Sequence, residues 1–315
     1  MAILQQDYPS DRLEIVIADG MSDDNTRDIV ASISAKHPDR IRLYDNPKKI
    51  MPTGINVAIR QAKGDIISPV SGHCMLDPDY IRNSVECLQR TGADNAGGPM
   101  RAINKGFFAE AIAYATNSPF GVGNSRFHYS EKEEWVDSVY QGSYRREVFD
   151  KIGYFDEELV RDQDDEFNYR LGASGGRILL SPTITSRYYS RSSYKRLFKQ
   201  YYQYGYYKVR VMQKIPKMVK PRHLIPAVFS ASAIVSLLLF AINPKLFYPV
   251  PIAVLGSYAA VMALGSLVIA SKNGWKYLFA LFPAFVCLHF GYGLGTLHGL
   301  WAFRNRWKGA QYSSQ

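Results

Sequence analysis

Residues 13–26, LEIVIADGMSDDNT, decide how the rest of this chain is read. Positions 13–18 form a short apolar run, with β-branched side chains at Ile15, Val16 and Ile17. Such a run predicts a strand buried on both faces of a parallel sheet. It ends at Asp19-Gly20, and a loop with Ser22, Asp23, Asp24, Asn25 and Thr26 leads into a helix from about Arg27. Open α/β sheets bind ligands just past the carboxyl ends of their strands. An acid placed there can accept a hydrogen bond from a base N–H, and Asp19 is the candidate. Ser22–Thr26 equally suits capping of the following helix; the two readings are compatible.

Working outward, short apolar runs and helical patterns alternate. Strands are expected at 41–44 and 66–70, and a helix at 52–62 with Ile55, Ala58, Ile59 and Ala62 on one face. A helix over 78–90 is expected to start with Asp77 as N-cap and Pro78 at its first position. Further on, the pattern predicts a helix at 105–117, a strand at 136–145, a helical piece at 162–171 and a late strand at 177–180. The β-α-β-α alternation argues for an α/β fold with an open, mostly parallel sheet.

Charge divides the chain into three. Of 38 Lys/Arg, 17 lie in 187–315, where there is no acid; residues 1–186 hold 21 basic and all 28 acidic residues, a net of −7. Residues 187–222 form a basic, tyrosine-rich connector. It is followed by three charge-free apolar segments, 224–243, 246–270 and 277–303. Each matches the roughly 20 residues that span a hydrocarbon core. An apolar tail behind a cationic, tyrosine-rich connector points to an anionic membrane surface, not to nucleic acid. Three crossings would put Arg304, Arg306 and Lys308 on the far side, against the positive-inside tendency. A re-entrant or interfacial third segment would avoid this. Cys74, Cys87 and Cys287 have neither disulfide nor zinc spacing and fit a reducing compartment. Met1–Pro9 is polar and too short for a signal peptide.

The order of motifs carries a resemblance. Asp19 and its loop are followed by Asn56 in GINVAIRQAKGD, by IISPVSGHCMLDPDYI and by RDQDDEFNYRL. Later come GGPM, GVGNS, YRREVFDKIGYFDEEL and YYSRSSYKRLFKQYYQYG. Over about residues 4–210 this resembles the inverting family-2 glycosyltransferases of GT-A (Rossmann-like) fold, in their succinoglycan-biosynthesis branch. The resemblance implies a catalytic domain over 1–186, the connector over 187–222 and a membrane region over 223–315. It implies transfer of a sugar from a nucleotide donor, a UDP-sugar above all, to a polyprenyl-diphosphate-linked acceptor in exopolysaccharide or cell-surface glycan synthesis. The enzyme would sit in the cell (inner) membrane, multi-pass, with its catalytic domain cytoplasmic.

Carried over residue by residue, Asp19 contacts the base, Asp23 and Asp24 shape its pocket, and Asn56 and Ser71 stand with the nucleotide. The metal motif falls on Ser71-Gly72-His73. His73 keeps the last ligand for Mg²⁺ or Mn²⁺, which spreads the charge of the leaving diphosphate. Ser71 replaces the expected carboxylate. Asp77 and Asp79 offer a shifted alternative, although acids at a helix start also suit the helix dipole. Inverting transfer needs one general base. The box Asp162, Gln163, Asp164, Asp165, Glu166 supplies it, and the family pattern selects Asp164, with Gln163 and Asp165 toward the acceptor. Crowded carboxylates repel, so one is expected to have a raised pKa. Glu166 and Arg170 have i, i+4 spacing, which also suits a plain helix ion pair. Arg191 suits a phosphate because its fork is bidentate.

A non-catalytic membrane scaffold that retains the fold is the alternative, favoured by Ser71 and disfavoured by the intact acidic box. Relatives also begin with a strand that would lie between those at 13–18 and 66–70. Here residues 3–9 look like only the tail of the helix after that strand, so the chain is expected to lack it.

Overall fold

The computed structural model describes residues 2–72, 74–103, 106–123, 125–189 and 191–307. The chain forms two compact units: Met1–Arg101 with Ser130–Tyr188, and Ala102–Tyr129 with Tyr189–Gln315. The chain thus leaves the first unit and re-enters it, where the sequence suggested one continuous stretch.

The first unit opens with β1 (Ile15–Asp19), α1 (Thr26–Lys36), β2 (Ile41–Asp45) and α2 (Met51–Gln61). Then come β3 (Ile66–Ile67), β4 (Cys74–Leu76), α3 (Tyr80–Thr91), β5 (Asn95–Gly98) and β6 (Met100–Ile103), which leads out of the unit. Two helices of the second unit intervene, α4 (Phe107–Thr116) and α5 (Pro119–Val122). The chain returns as β7 (Glu134–Val136), β8 (Tyr140–Arg145), α6 (Arg146–Ile152), α7 (Gln163–Ala173), β9 (Ile178–Leu180) and β10 (Ser186–Tyr189).

β1 pairs parallel with β2, Ile15 opposite Ile41 through Asp19 opposite Asp45, as a sheet of its own. A five-stranded sheet runs β3-β8-β5-β9-β7. There β5 and β9 are parallel, while β8 is antiparallel to β3 and β5, and β7 is antiparallel to β9. The five-stranded sheet is therefore mixed, not mostly parallel. The segment 136–145 is not one strand: it breaks at Asp137-Ser138-Val139, so that β7 serves one edge and β8 the other side. β3 stops after two residues because Pro69 has no N–H to donate. β1 is half-buried along Ile15–Ala18 and only Asp19 is buried, in place of burial on both faces. α1 buries nothing, and Ile29 is 57% exposed.

The core lies under α3. Tyr80, Ile81, Ser84, Val85 and Leu88 recur at helical spacing. Tyr80, Ile81, Val85 and Leu88 pack with Leu76, Ala96, Leu179 and Ile184. α3 starts at Tyr80, two residues later than expected, and ends at Gly92 with φ +65°, a left-handed stop that favours glycine. Asp77 does not cap it, because Arg187 holds that carboxylate at 2.7 Å. A second core is aromatic: Phe155 stacks on Phe167 at 4.4 Å, with Phe149 at 5.2 Å and Tyr144 at 5.3 Å from Phe167. It fixes α7.

The second unit adds α8 (Tyr194–Lys214), α9 (Pro221–Ile242), α10 (Pro244–Phe247), α11 (Pro249–Asn273) and α12 (Leu278–Ala302) to α4 and α5. Ile112 and Ala115 of α4 pack with Met262 and Ile269 of α11 and with Leu281, Phe285 and Leu288 of α12. Three segments, Pro221–Ile242, Pro249–Asn273 and Trp275–Ala302, are long and apolar enough to cross a membrane.

Candidate active site

Asp19 ends β1 and is 7% exposed. Ser22 donates to it twice, from its hydroxyl at 2.6 Å and its amide at 2.9 Å, and Arg27 adds a guanidinium bond at 2.8 Å. The Ser22 bonds first, and then Arg27, hold its carboxyl below the usual carboxylate range. A carboxylate offers about four acceptor positions, so the three donors leave room for one more. Arg27 also reaches Asp45 at 2.7 Å and ties the ends of β1 and β2 together. Asp24 accepts from the Thr26 amide at 2.9 Å and starts α1; Asp23 is exposed beside it. The loop after β1 therefore both braces Asp19 and begins the helix.

The start of α2 joins this end of β1 to the acidic box. Asn46 donates its amide to the Asp19 carbonyl at 2.7 Å and its side chain to the Ile50 carbonyl at 2.9 Å. Thr53 donates to Asn46 at 2.7 Å. Met51 then meets Gln163, whose amide lies 3.5 Å from the Met51 sulfur. Asn56, one turn on, is 1% exposed. Its amide brackets the backbone of Phe155, donating to the carbonyl at 2.8 Å and accepting from the N–H at 3.0 Å. Asn56 thus holds the 155–157 turn and does not present its amide to a ligand.

The acidic box forms the first turn of α7. Glu166 is fully buried and bidentate with Arg170, at 2.5 and 3.0 Å, as its i, i+4 spacing allows. Arg170 goes on to the carbonyls of Ile152 and Tyr154. Asp165 accepts from Ser138 at 3.1 Å. Behind it Asn168 donates to Ser138 and accepts from Asn95 at 2.9 Å and Tyr144 at 3.0 Å. Asp164 is the exposed carboxylate of this turn; it accepts from the Asp165 amide at 3.0 Å. Asp162 precedes the turn in the left-handed region, with φ +60°.

Three residues beyond Ser138, Gln141 grips Ser71. Its side-chain oxygen accepts from the Ser71 amide at 3.0 Å and its nitrogen donates to the Ser71 hydroxyl at 2.9 Å. Gln141 itself is left-handed, φ +50°, and its carbonyl accepts from Tyr80. Hydrogen bonds thus tie Ser71 to Gln141 and Asp165 to Ser138, and link Gln163 to the start of α2, which Asn46 joins to Asp19.

His73 lies outside the described residues. Among the described residues no three His, Cys, Asp or Glu cluster as metal ligands. The Ser71 hydroxyl is neutral and held by Gln141, Asp77 is held by Arg187, and Asp79 faces Arg82 at 4.0 Å. These side chains do not fit a protein-built cage for a divalent ion. Arg191 belongs to the second unit, where it bonds Gln200 at 3.2 Å. Arg27, Ser138 and Gln141 carried no motif. Each acts across a separation that no spacing rule covers.

Residues 2–153 match the family described as "Glycosyl transferase family 2". The succinoglycan biosynthesis protein ExoA of Rhizobium meliloti (strain 1021) is 31% identical over 297 residues, 93% of this chain and 87% of that protein. A Methanococcus voltae protein, the dolichyl N-acetyl-alpha-D-glucosaminyl phosphate 3-beta-D-2,3-diacetamido-2,3-dideoxy-beta-D-glucuronosyltransferase, is 31% identical over 66% of this chain and 67% of its own length. Among solved structures, S. aureus TarS 1-349 in complex with UDP-GlcNAc matches 92% of this chain and 84% of that one, at TM-score 0.46 and 17% identity. The motifs in their order, and identity to ExoA along almost the whole chain, make this protein a family 2 glycosyltransferase with a GT-A catalytic domain and an apolar helical C-terminal region.

Proposed function

We propose that this glycosyltransferase works at the cytoplasmic face of the cell membrane, moving a sugar from a nucleoside-diphosphate donor to a polyprenyl-linked saccharide with inversion. The observation that carries the reading is the first turn of α7. Glu166 is locked to Arg170 and Asp165 is held by Ser138, while Asp164 is presented to solvent. In this reading Asp164 takes the proton from the acceptor hydroxyl. The oxygen then attacks the anomeric carbon from the face opposite the donor diphosphate, which leaves. Gln163 and Asp165 border the acceptor, and Asp19, flanked by Asp23 and Asp24, accepts from the base N–H. Ser71, held by Gln141, lines the donor side. A divalent ion, Mg²⁺ or Mn²⁺, would arrive on the donor diphosphate with His73 as its protein ligand.

The M. voltae relative is named for a dolichyl phosphate-linked sugar. ExoA is named for succinoglycan biosynthesis. The first name agrees with a lipid-linked acceptor and the second with glycan synthesis, and a UDP-sugar is the donor to try first. The connector over 187–222 would hold the catalytic domain against anionic lipid, and Arg191 would meet acceptor phosphate.

The test supplies full-length protein in membranes with a panel of UDP-sugars and a polyprenyl-diphosphate saccharide. Transfer is expected to yield a lipid-phase product one sugar heavier by mass, with an inverted anomeric centre by NMR. A product of retained configuration, or transfer only to soluble glycans, would contradict the reading.

A further inference from the structure

The neighbour that α12 touches most is α8, not an apolar helix. Gly291, Gly295 and Gly299 recur every fourth residue on α12. A Cβ at these positions would press in turn on the carbonyls of Phe198, Tyr202 and Tyr206 of α8. The two sets of numbers advance in step, so the helices run parallel with their backbones in contact. Gly205 gives the same close approach from the α8 side, against the Tyr292 carbonyl. Tyr202 and His298 are hydrogen-bonded at 2.6 Å, and Gln213 donates to the Phe303 carbonyl at 2.8 Å. Wherever α8 lies with respect to a membrane, the C-terminal half of α12 lies there too, and the remaining half, which packs on α11, is too short to cross alone.

α8 is unfit to cross. It carries Lys195, Arg196, Lys199, Lys208, Arg210 and Lys214 and no acid. Its uncharged stretch, 200–207, covers about 12 Å at about 1.5 Å per residue, against a hydrocarbon core of about 30 Å. Cations held in hydrocarbon are unfavourable. Tyrosines mixed with Lys and Arg instead suit the headgroup layer. Trp275 and Trp301 at the two ends of α12 fit either placement; α8 does not.

We infer that α12, though long and apolar enough to cross, is held by its C-terminal half with α8 along the lipid headgroups and does not span the bilayer. This inference rests on the membrane reading proposed above. Charge agrees with it. Three crossings would put Arg304 and Arg306 opposite Lys217, Lys220 and Arg222, while an α12 that does not cross gathers all five on one side.

The test places reporters on the full chain in a bacterial inner membrane. One is fused after Gln315 and another is inserted in the turn at 243–248. Each site receives in parallel a fluorescent protein, which matures only in the cytoplasm, and an alkaline phosphatase, active only outside. At the C-terminus, fluorescence with a silent phosphatase is expected; an active phosphatase there overturns the inference. Phosphatase activity is expected at the 243–248 turn. If that turn reports cytoplasmic while the C-terminus does too, crossing by α9 and α11 fails but the placement of α12 stands.

Discussion

Three donor groups converge on Asp19 before any ligand arrives. Ser22 foremost, and then Arg27, lower its carboxyl below the ordinary range. Folding therefore favours its charged form. That stabilisation is complete above the unfolded value near 3.9 and is lost as pH falls through the lower folded value. Asp19→Asn is expected to lower Tm at pH 7, and the gap to the parent should close between about pH 4 and the acid limit. Paired thermal melts from pH 7 to pH 3 check this; a gap independent of pH would assign the loss to packing. Asn56 makes a different prediction. Asn56→Ala strands the Phe155 N–H and carbonyl, and should lower stability by about 1–3 kcal/mol. A chemical-denaturation midpoint reads it, with donor affinity changed less than stability.

Among elements, α7 is the one that aims the acidic box, and its packing is aromatic. Phe167→Ala removes the partner of Phe155, Phe149 and Tyr144. It should cost about 3–5 kcal/mol, read by urea unfolding. β5 is pressed just as hard from its own side: a Cβ at Gly98 would overlap the Ile184 carbonyl. Gly98→Ala is expected to give mostly insoluble protein, whereas Gly172→Ala, where the same atom meets nothing within 4 Å, should express normally. Elements set by local pattern were legible in the sequence: β1, β2, α2, α7 and β9 lie within about two residues of where periodicity put them. Departures came from local breakers within an apolar run and from distant partners. Pro69 cuts β3 short and Asp137-Ser138 split 136–145, while Arg187 takes Asp77 from the start of α3. Distant partners also left the site half legible. Asp19 and the acidic box announce themselves in short motifs. The grip of Gln141 on Ser71 spans a sequence separation of 70 and needs a left-handed backbone, and no sequence pattern encodes it.

At the scale of the whole molecule, two units share one chain with opposite charge. The acidic residues sit in the first unit apart from Glu110, and the second unit carries sixteen Lys/Arg between 189 and 315 without one acid in that stretch. Such a division suits an enzyme that handles a soluble nucleotide sugar in one unit and a lipid surface with the other. In the proposed reaction this chain transfers sugar to a lipid-linked acceptor with Asp164 as base. The most direct measurement is acceptor-dependent release of nucleoside diphosphate by full-length protein and by Asp164→Asn. That variant keeps the shape and charge-free hydrogen bonding of the side chain but cannot take a proton. Turnover is expected to fall on the order of 10²–10⁴-fold, with donor affinity and Tm near those of the parent. Near-parental turnover in Asp164→Asn would contradict the account.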